Sequence, residues 1–597
     1  MFFVINNNLV TIFNHWITSG IRKMSQKNEP LGYFCFVLHS HLPWVLNHGV
    51  WPHGTDWVNE AAAETYIPIL MELHKLLDEG YSPKLTMGLT PVLCEMLTHP
   101  GFTNGFIEYL DGKIDAAEND YEDFTRNQYR PERIKLTLYW KEYYLKIKEV
   151  FINRFNKNIL SGFKQIQDKN LLDIITCGAT HGYTPLLSRE SSINAQFHIA
   201  VTNYKKHFLR EPTGVWLPEC AYRPGYKWKN PVTGEEFERP GIEYFLAKNG
   251  LRYFFIDTAL LLGGLSQGVY AARFPLLKEL WKQFAKQYKE LPTNFEKTPY
   301  ESYLVSSKST DSPVGFFTRD QKTGILVWSG EHGYPGCSEY LDFHKKHYPG
   351  GLRYWKVTGP KVDLGNKMLY WVDDVSKKLD ENASDFLNVV KKVLREHKKK
   401  TGTPGIIVAP YDTELFGHWW FEGPWWLNRV LKWMEDDPEI ELTNTRLYME
   451  QFPPDKVCQI TEGSWGQGSS HWVWLNSWTT WAWEKVYECE AKNEELVSKY
   501  YQSSDPSVIR ILKQLARELL LLESSDWQFL ITTWSARDYA ENRIALHYEN
   551  FNRLHDILIN YTNGKIIPEG EWAFLGKIEA NDSLFPELEL YPFTKNA

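Results

Sequence analysis

The chain has 597 residues, with 66 Lys and Arg against 74 Asp and Glu, for a formal net charge of −8. Hydrophobic residues make up 43% and charged residues 23%, an ordinary globular composition that excludes wholesale disorder and collagen-like or low-complexity structure. The acidic balance leaves no basic footprint for sequence-independent nucleic-acid binding. A chain of this length can bury a large core without disulfide or metal staples.

Seven cysteines, at 35, 94, 177, 220, 337, 458 and 489, are odd in number, widely spaced and without a CxxC pair. That pattern speaks against a disulfide framework or a structural zinc site and for a reducing, cytoplasmic setting. No apolar run is long enough to cross a bilayer, so no membrane partner is expected. The opening segment MFFVINNNLVTIFNHWITSG lacks a basic n-region and breaks its apolar stretch at Asn6–Asn8, which fits a signal peptide poorly. Residues 1–30 read as a flexible extension.

From residue 31, short β-rich runs alternate with stretches of helical period. The candidate strands are Tyr33–His39, Lys84–Gly88, Asp173–Cys177, Gly214–Leu217, Arg252–Asp257, Ile325–Ser329, Gly405–Ala409 and Glu439–Thr443. Most are apolar on both faces, the pattern of a parallel sheet buried between layers. Such strands favour a (β/α) barrel or a distorted relative. An open doubly wound sheet is disfavoured, because no Gly-rich phosphate fingerprint follows any strand. Residues 113–170 are charged, aromatic and helical in period, and read as an inserted helical subdomain. The stretch GYKWKNPVTGEEFERPG at 225–241 reads as a Gly/Pro-punctuated loop. Beyond Trp478 the pattern is almost wholly helical. The expected organisation is a catalytic α/β region over 31–450 and a C-terminal helical domain over 451–597.

Aromatic residues reach 15% of the chain, with 25 Trp. Several Trp sit beside Gly, Ser, His and Asp in loop-like contexts, where burial alone explains them poorly. Flat rings with an N–H or O–H at the edge suit sugars, which present apolar C–H faces and hydroxyls.

In parallel barrels, reactive side chains project from the C-terminal ends of strands. Those ends here carry His39 and His41, His181, Glu219, Asp257, Glu331, and Asp412 with Glu414 and His418. Glu219 and Asp412 each follow an apolar strand and are bracketed by Pro, Tyr and Trp, while Glu414, Asp257 and Glu331 remain rivals on chemistry alone. Two carboxylates across a pocket suit glycosidic-bond chemistry, one as nucleophile and the other protonating the leaving oxygen. His39 and His41 share one face of an extended strand. With His181 they could hold a metal if neutral and close together. No Asp or Glu is interleaved among them, so contacts to substrate are preferred and no metal is expected. Trp465 lies in the Gly/Ser loop GSWGQG, where a ligand platform is the better reading. Trp472 and Trp474 follow it, and Trp57 has a similar ambiguity between burial and display.

Four segments, HSHLPW at 39–44, GATHGYTP at 178–185, WLPECAYRPG at 216–225 and APYDTELFGHWWFEGP at 409–424, resemble the motifs of glycoside hydrolase family 57. The stretch from Asp526 to Tyr539 looks like that family's fifth region. SWGQG followed by HWVWLN is similar to the 1,4-α-glucan branching enzymes within the family. The resemblance implies a distorted (β/α)7 TIM-like barrel, with an inserted helical subdomain and a C-terminal helical domain. It implies a retaining double displacement with Glu219 as nucleophile and Asp412 as acid/base, their carboxyl groups about 5–6 Å apart. It places His39, His41, His181, Trp57, Trp328, Trp465 and Trp474 along an α-1,4-glucan path, with Arg223 and His418 nearby. It also puts Tyr270 at the tip of a mobile loop around Gly263–Ala272. No cofactor is implied. The expected product is an α-1,6 branch, and the protein is expected as a monomer or small homo-oligomer. A 4-α-glucanotransferase or α-amylase on the same scaffold is the nearest alternative. A metal-dependent deacetylase or mannosidase-like enzyme using the three His, and a silent glucan-binding protein, are more distant ones.

Overall fold

The structure is a computed structural model, and it describes residues 29–263, 297–359 and 361–597. Its strands, in chain order, are β1 (Gly32–Ser40), β2 (Leu85–Leu89), β3 (Leu172–Ile175), β4 (Tyr226–Lys229), β5 (Glu236–Arg239), β6 (Tyr253–Ile256), β7 (Tyr303–Val305), β8 (Gly315–Thr318), β9 (Gly405–Asp412), β10 (Ile440–Leu442) and β11 (Val457–Cys458).

All nine residues of β1 are buried, as its unbroken apolar run demands. The strand runs parallel to β9 from Gly32↔Gly405 to His39↔Asp412. Its other side pairs in parallel with β10 at its start and with β2 at its end. β2 continues in parallel to β3. A second sheet holds β6 parallel to β8, with β7 antiparallel to β8 and β11 parallel to β7. Parallel bridges Thr176↔Val215 and Gly214↔Tyr253 connect the two sheets through the 214–215 segment, and Arg319↔Val408 joins them directly. The fold is therefore α/β, with mostly parallel strands and many helices.

Successive residues of β1 enter different clusters, as a strand period of two requires. Tyr33, Cys35 and Val37 pack with Ile175, Trp216, Phe255, Phe317 and Val408. Phe34, Phe36 and Leu38 join the larger core formed with the helices. One face of the strands thus builds a compact inner cluster while the other carries the helical layer.

Two sequence expectations are corrected here. Ile325–Ser329 is not a strand, because Gln321–Trp328 is a helix whose first turn is capped by Asp320, accepting from the Thr323 backbone N–H at 2.7 Å. The strand of this region is β8, one segment earlier. A short apolar run such as Ile325–Trp328 fits a buried strand or helix equally well. The stretch 225–241 is also more than a loop: β4 and β5 form an antiparallel hairpin from Tyr226↔Arg239 to Lys229↔Glu236.

Helices Pro100–Arg126 and Pro131–Glu149 pack together as a long hairpin. After Trp478 come helices Thr480–Tyr500, Pro506–Leu522, Asp526–Thr533, Arg537–Thr562 and Glu569–Asn581. Pro506–Leu522 shows why this region folds. Asp505 caps its start by accepting from Ser507 N at 2.8 Å, and Val508, Ile511, Leu512, Leu515 and Leu519 form a buried stripe of helical period. These helices fold back onto the strand-end loops. Trp44 Nε1 donates to Asn581 O at 3.2 Å, His48 Nε2 meets Asp582 Oδ1 at 2.6 Å, and Gly182 bridges to Ser524. Among the described residues, no helix is long and apolar enough to cross a membrane.

Gly417, in the loop after β9, has φ +120°, and a Cβ there would stand 1.8 Å from Glu64 O. Both the backbone conformation and the contact require glycine. Gly417→Ala is expected to cost about 2–4 kcal/mol in denaturant unfolding. Unchanged stability in that measurement would contradict the packing described.

Candidate active site

The C-terminal ends of the strands bring the sequence-predicted groups together at one end of the sheet. β1 brings His39 and His41, and the segment after β3 brings His181. The 214–215 segment leads to Glu219, β8 to Arg319 and β9 to Asp412. The β1–β9 register sets His39 beside Asp412.

Glu219 sits in the tight turn Pro218–Cys220 with φ +59°, followed by Cys220 at φ +51°. Two consecutive non-glycine residues in the left-handed region are uncommon and strained. The turn is held from outside the sheet. Trp465 N donates to the Glu219 carbonyl at 3.2 Å, and Trp465 Nε1 donates to Oε2 at 2.9 Å. Ser525 Oγ donates to Oε1 at 3.3 Å. Burial pushes the Glu219 carboxyl up to about 8, opposed by the Trp465 hydrogen bond and assisted by the negative charge of Asp412. The charge of Asp412 is thus felt at Glu219.

Asp412 is raised well above the usual carboxylate range, by burial first and then by the charge of Glu414, with Arg319 opposing. Among the described residues, none donates a hydrogen bond to its carboxyl group. Glu414 is buried against the Tyr66 hydroxyl and accepts from His41 N at 3.3 Å. Burial takes its carboxyl up to about 7.

The three sequence-predicted histidines do meet. His39 and His181 bring their Nε2 atoms to 3.1 Å, and the rings of His41 and His181 stack with centroids 3.9 Å apart. His181 Nδ1 lies 2.8 Å from Ser525 Oγ, and His41 Nε2 lies 2.8 Å from Asp526 Oδ2. Burial, together with the neighbouring imidazoles, holds His39 and His181 well below the ordinary histidine range. Burial alone would raise Asp526, but the charge and hydrogen bond of His41 outweigh it and bring the carboxyl down to about 2. The sequence-based ground for setting a metal aside was the lack of an interleaved acid. Asp526 supplies one from the C-terminal helices, and His41, His181 and Asp526 place their ligand atoms within 4.8 Å of one another.

The aromatic residues divide into two groups. Trp465 packs against Trp216 and Trp328, with centroids at 5.0 and 5.9 Å. Trp57 packs edge-on against Tyr539 at 5.4 Å. These rings are all partly exposed except Trp216. Trp474 is different, being buried and stacked on Tyr183 at 4.6 Å, so it backs the site rather than facing into it. Arg223 is fully buried and donates to the carbonyls of Pro224 and Pro240, which sets it in the hairpin base instead of on the cleft surface. His418 lies 3.3 Å from Glu64 Oε2, within an ion-pair group that includes Arg353. Tyr270 lies outside the described residues.

Sequence reasoning missed two polar residues here, Arg319 and Ser525, and named Asp526 without a role. Arg319 forms an ion pair with Asp257 at 3.4 Å, stands 6.0 Å over the Trp465 ring and moderates Asp412. It was hidden by the misplaced sixth strand, since recognition of Gly315–Thr318 would have put Arg319 at a strand end. Ser525 and Asp526 come from the C-terminal helices; Asp526 opens the stretch that resembles the family's fifth region, but nothing local places it beside His41.

A carboxyl pair at the edge of a parallel α/β sheet, lined by imidazoles and indoles, defines a class of glycoside-bond enzyme, and the comparisons agree. Residues 35–461 match the glycosyl hydrolase family 57 model, and residues 485–593 match the model for the C-terminal region of 1,4-alpha-glucan branching enzymes. The chain belongs to glycosyl hydrolase family 57. It is 40% identical to a 1,4-alpha-glucan branching enzyme of Thermococcus kodakarensis, over 94% of this chain and 78% of that protein. The crystal structure of that enzyme superposes with a TM-score of 0.85, covering 94% and 96% of the two chains. A family 57 branching enzyme from Pyrococcus horikoshii gives 0.84 at 37% identity, covering 94% and 97%. An alpha-amylase from Thermotoga maritima gives 0.76 at 30% identity, covering 94% and 99%.

Proposed function

We propose that this chain is a retaining 1,4-α-glucan branching enzyme, with Glu219 as nucleophile and Asp412 as general acid and base. The observation that carries the assignment of roles is the unequal treatment of the two carboxyl groups. Glu219 receives N–H and O–H donors, which favour the anion. Asp412 receives none among the described residues and stands beside a second carboxyl, Glu414, which favours the proton. When the pair holds a single proton, these contacts favour its residence on Asp412.

Glu219 attacks the anomeric carbon of an α-1,4-linked glucan while Asp412 protonates the departing oxygen. The glycosyl ester on Glu219 is then attacked by a 6-hydroxyl of an acceptor chain, and Asp412 takes the proton of that hydroxyl. Transfer exceeds hydrolysis when the acceptor is held and water is excluded, a task suited to the indoles around Trp465. The carboxyl groups are expected at the retaining separation of about 5–6 Å.

The scaffold we propose is a distorted (β/α)7 barrel. The chain of parallel pairings from β1 through β2, β3, the 214–215 segment, β6, β8 and β9, and back to β1, supports it. The catalytic part would span 31–450, with the helical insertion at about 113–170, and 451–597 would be the C-terminal part that lends Trp465 to the cleft. Seven free cysteines accord with a cytoplasmic enzyme.

Branching is preferred to hydrolysis because the match at 485–593 and the 40% identical relative both carry that name. The amylase-like structure shows that the scaffold alone does not decide. Incubation with amylose followed by enzymatic debranching tests it. New α-1,6 points with little reducing sugar support branching, whereas abundant reducing ends would overturn it. In this mechanism the imidazoles bind sugar hydroxyls, so activity should survive exhaustive chelation. Loss on chelation, restored by a divalent cation, would assign the His41–His181–Asp526 group to a metal instead.

The pH profile follows from the same pair, which titrates as a unit. kcat/KM needs Glu219 without its proton and Asp412 with one. Activity should therefore rise and then fall with pH, with both limbs above the ordinary carboxylate range, because burial raises both carboxyl groups. Trp465→Phe deletes a donor that favours the anion, so the rising limb should move to higher pH. A limb that stays in place would separate Trp465 from the ionisation of Glu219.

A further inference from the structure

We propose that Trp534 and Trp478 form a second glucan-docking platform on the C-terminal helices, remote from the bond that is cleaved. The inference rests on the α-glucan reading above. Trp534 is 56% exposed and closes the short helix Asp526–Thr533 in the left-handed region, with φ +59° and ψ +21°. That position after a helix is usually taken by Gly, because a side chain there is strained. An exposed indole gains little burial to offset the strain, so packing does not explain its presence. Backbone strain held at one residue points to a role for the side chain it displays.

The surroundings fit a sugar. The ring of Trp478 stands edge-on to that of Trp534, with centroids 6.0 Å apart and planes at 72°. The two indoles make a corner that can take the apolar face of one glucose unit on each wall. Arg537 stacks over Trp534 at 4.9 Å and stiffens it, while the Thr533 and Ser535 hydroxyls, 2.9 Å apart, lie alongside. Asn476 Nδ2 donates to Thr532 Oγ1 at 3.0 Å and so ties the Trp478 segment to this helix.

Both halves of the platform are continuous in chain with residues that touch the candidate site. The segment that carries Trp478 starts at Trp465, which donates to Glu219, and the helix that ends at Trp534 starts at Asp526, which pairs with His41. Trp534 lies eight residue steps beyond Asp526, roughly 12 Å at about 1.5 Å per residue. A glucan chain of a few units spans that gap, so a chain seated on the corner would be held near the cleft without entering it.

The test is binding to amylopectin by affinity electrophoresis in a Glu219→Gln background, where no turnover occurs. Trp534→Gly should weaken retention by about 5- to 10-fold, the loss of one stacking surface. Its thermal midpoint should hold or rise, because the left-handed position now carries glycine. Trp534→Tyr should keep most of the retention. Equal retention by parent and Trp534→Gly would overturn the platform. So would a weakened Trp534→Gly accompanied by a fall in midpoint and an equal loss in Trp534→Tyr. Failure of the Glu219→Gln parent itself to bind amylopectin would remove the glucan reading and the platform with it.

Discussion

Glu219→Gln should abolish transfer from amylose, with a fall of about 10⁴-fold or more, since no covalent intermediate can form. The amide keeps the shape of the turn and leaves Trp465 and Ser525 in place, so folding should be unaffected. Stereochemistry provides the sharper check. In Glu219→Ala, azide entering the vacated space would attack from the nucleophile's side and give a glycosyl azide of inverted configuration. In Asp412→Ala, azide would intercept the glycosyl ester on Glu219 from the opposite side and give a retained product. An exchange of these two outcomes would exchange the roles of the two carboxyl groups. Two retained products would mean that neither residue is the nucleophile.

Asp412→Asn should lower branching by about 10² to 10⁴-fold, the usual worth of general acid–base catalysis. The size of the loss should depend on the leaving group. A glucosyl donor with a fluoride leaving group needs no protonation, so formation of the glycosyl ester should be largely spared. Transfer to the acceptor would remain slow, because its 6-hydroxyl still requires a base. The falling limb of the pH profile should also disappear in this variant. Equal losses on glucan and fluoride donors would show that Asp412 holds the substrate without moving a proton.

Glu219 and Asp412 were legible because each carboxylate directly follows an apolar run and precedes a Pro- or aromatic-rich turn. Local pattern and position along the strand coincide there. The histidine group was legible through the spacing of His39 and His41, although only the fold could bring His181 to them. Arg319 was lost because Ile325–Trp328 offers four apolar residues in a row, and such a run mimics a strand. The helix signal was the capping Asp320 three residues before Thr323. Ser525 had no local signal, and Asp526 was legible only as the first residue of the stretch that resembles the family's fifth region. Their role arises from helices folding back over the strand ends, and contacts across almost five hundred residues leave no trace in a sequence window. Trp474 and Arg223 are buried, a packing outcome that residue type and spacing alone do not reveal.

The donors to Glu219 and the partner of His41 all come from beyond residue 460, whereas the groups they serve lie before residue 220. The two regions are therefore not exchangeable modules. A chimera that joins this catalytic part to the helices of a distant relative would inherit a nucleophile lacking its hydrogen-bond support, unless Trp465 and the Ser525–Asp526 turn travel with it. Selection on product pattern in such an enzyme must act on both regions at once.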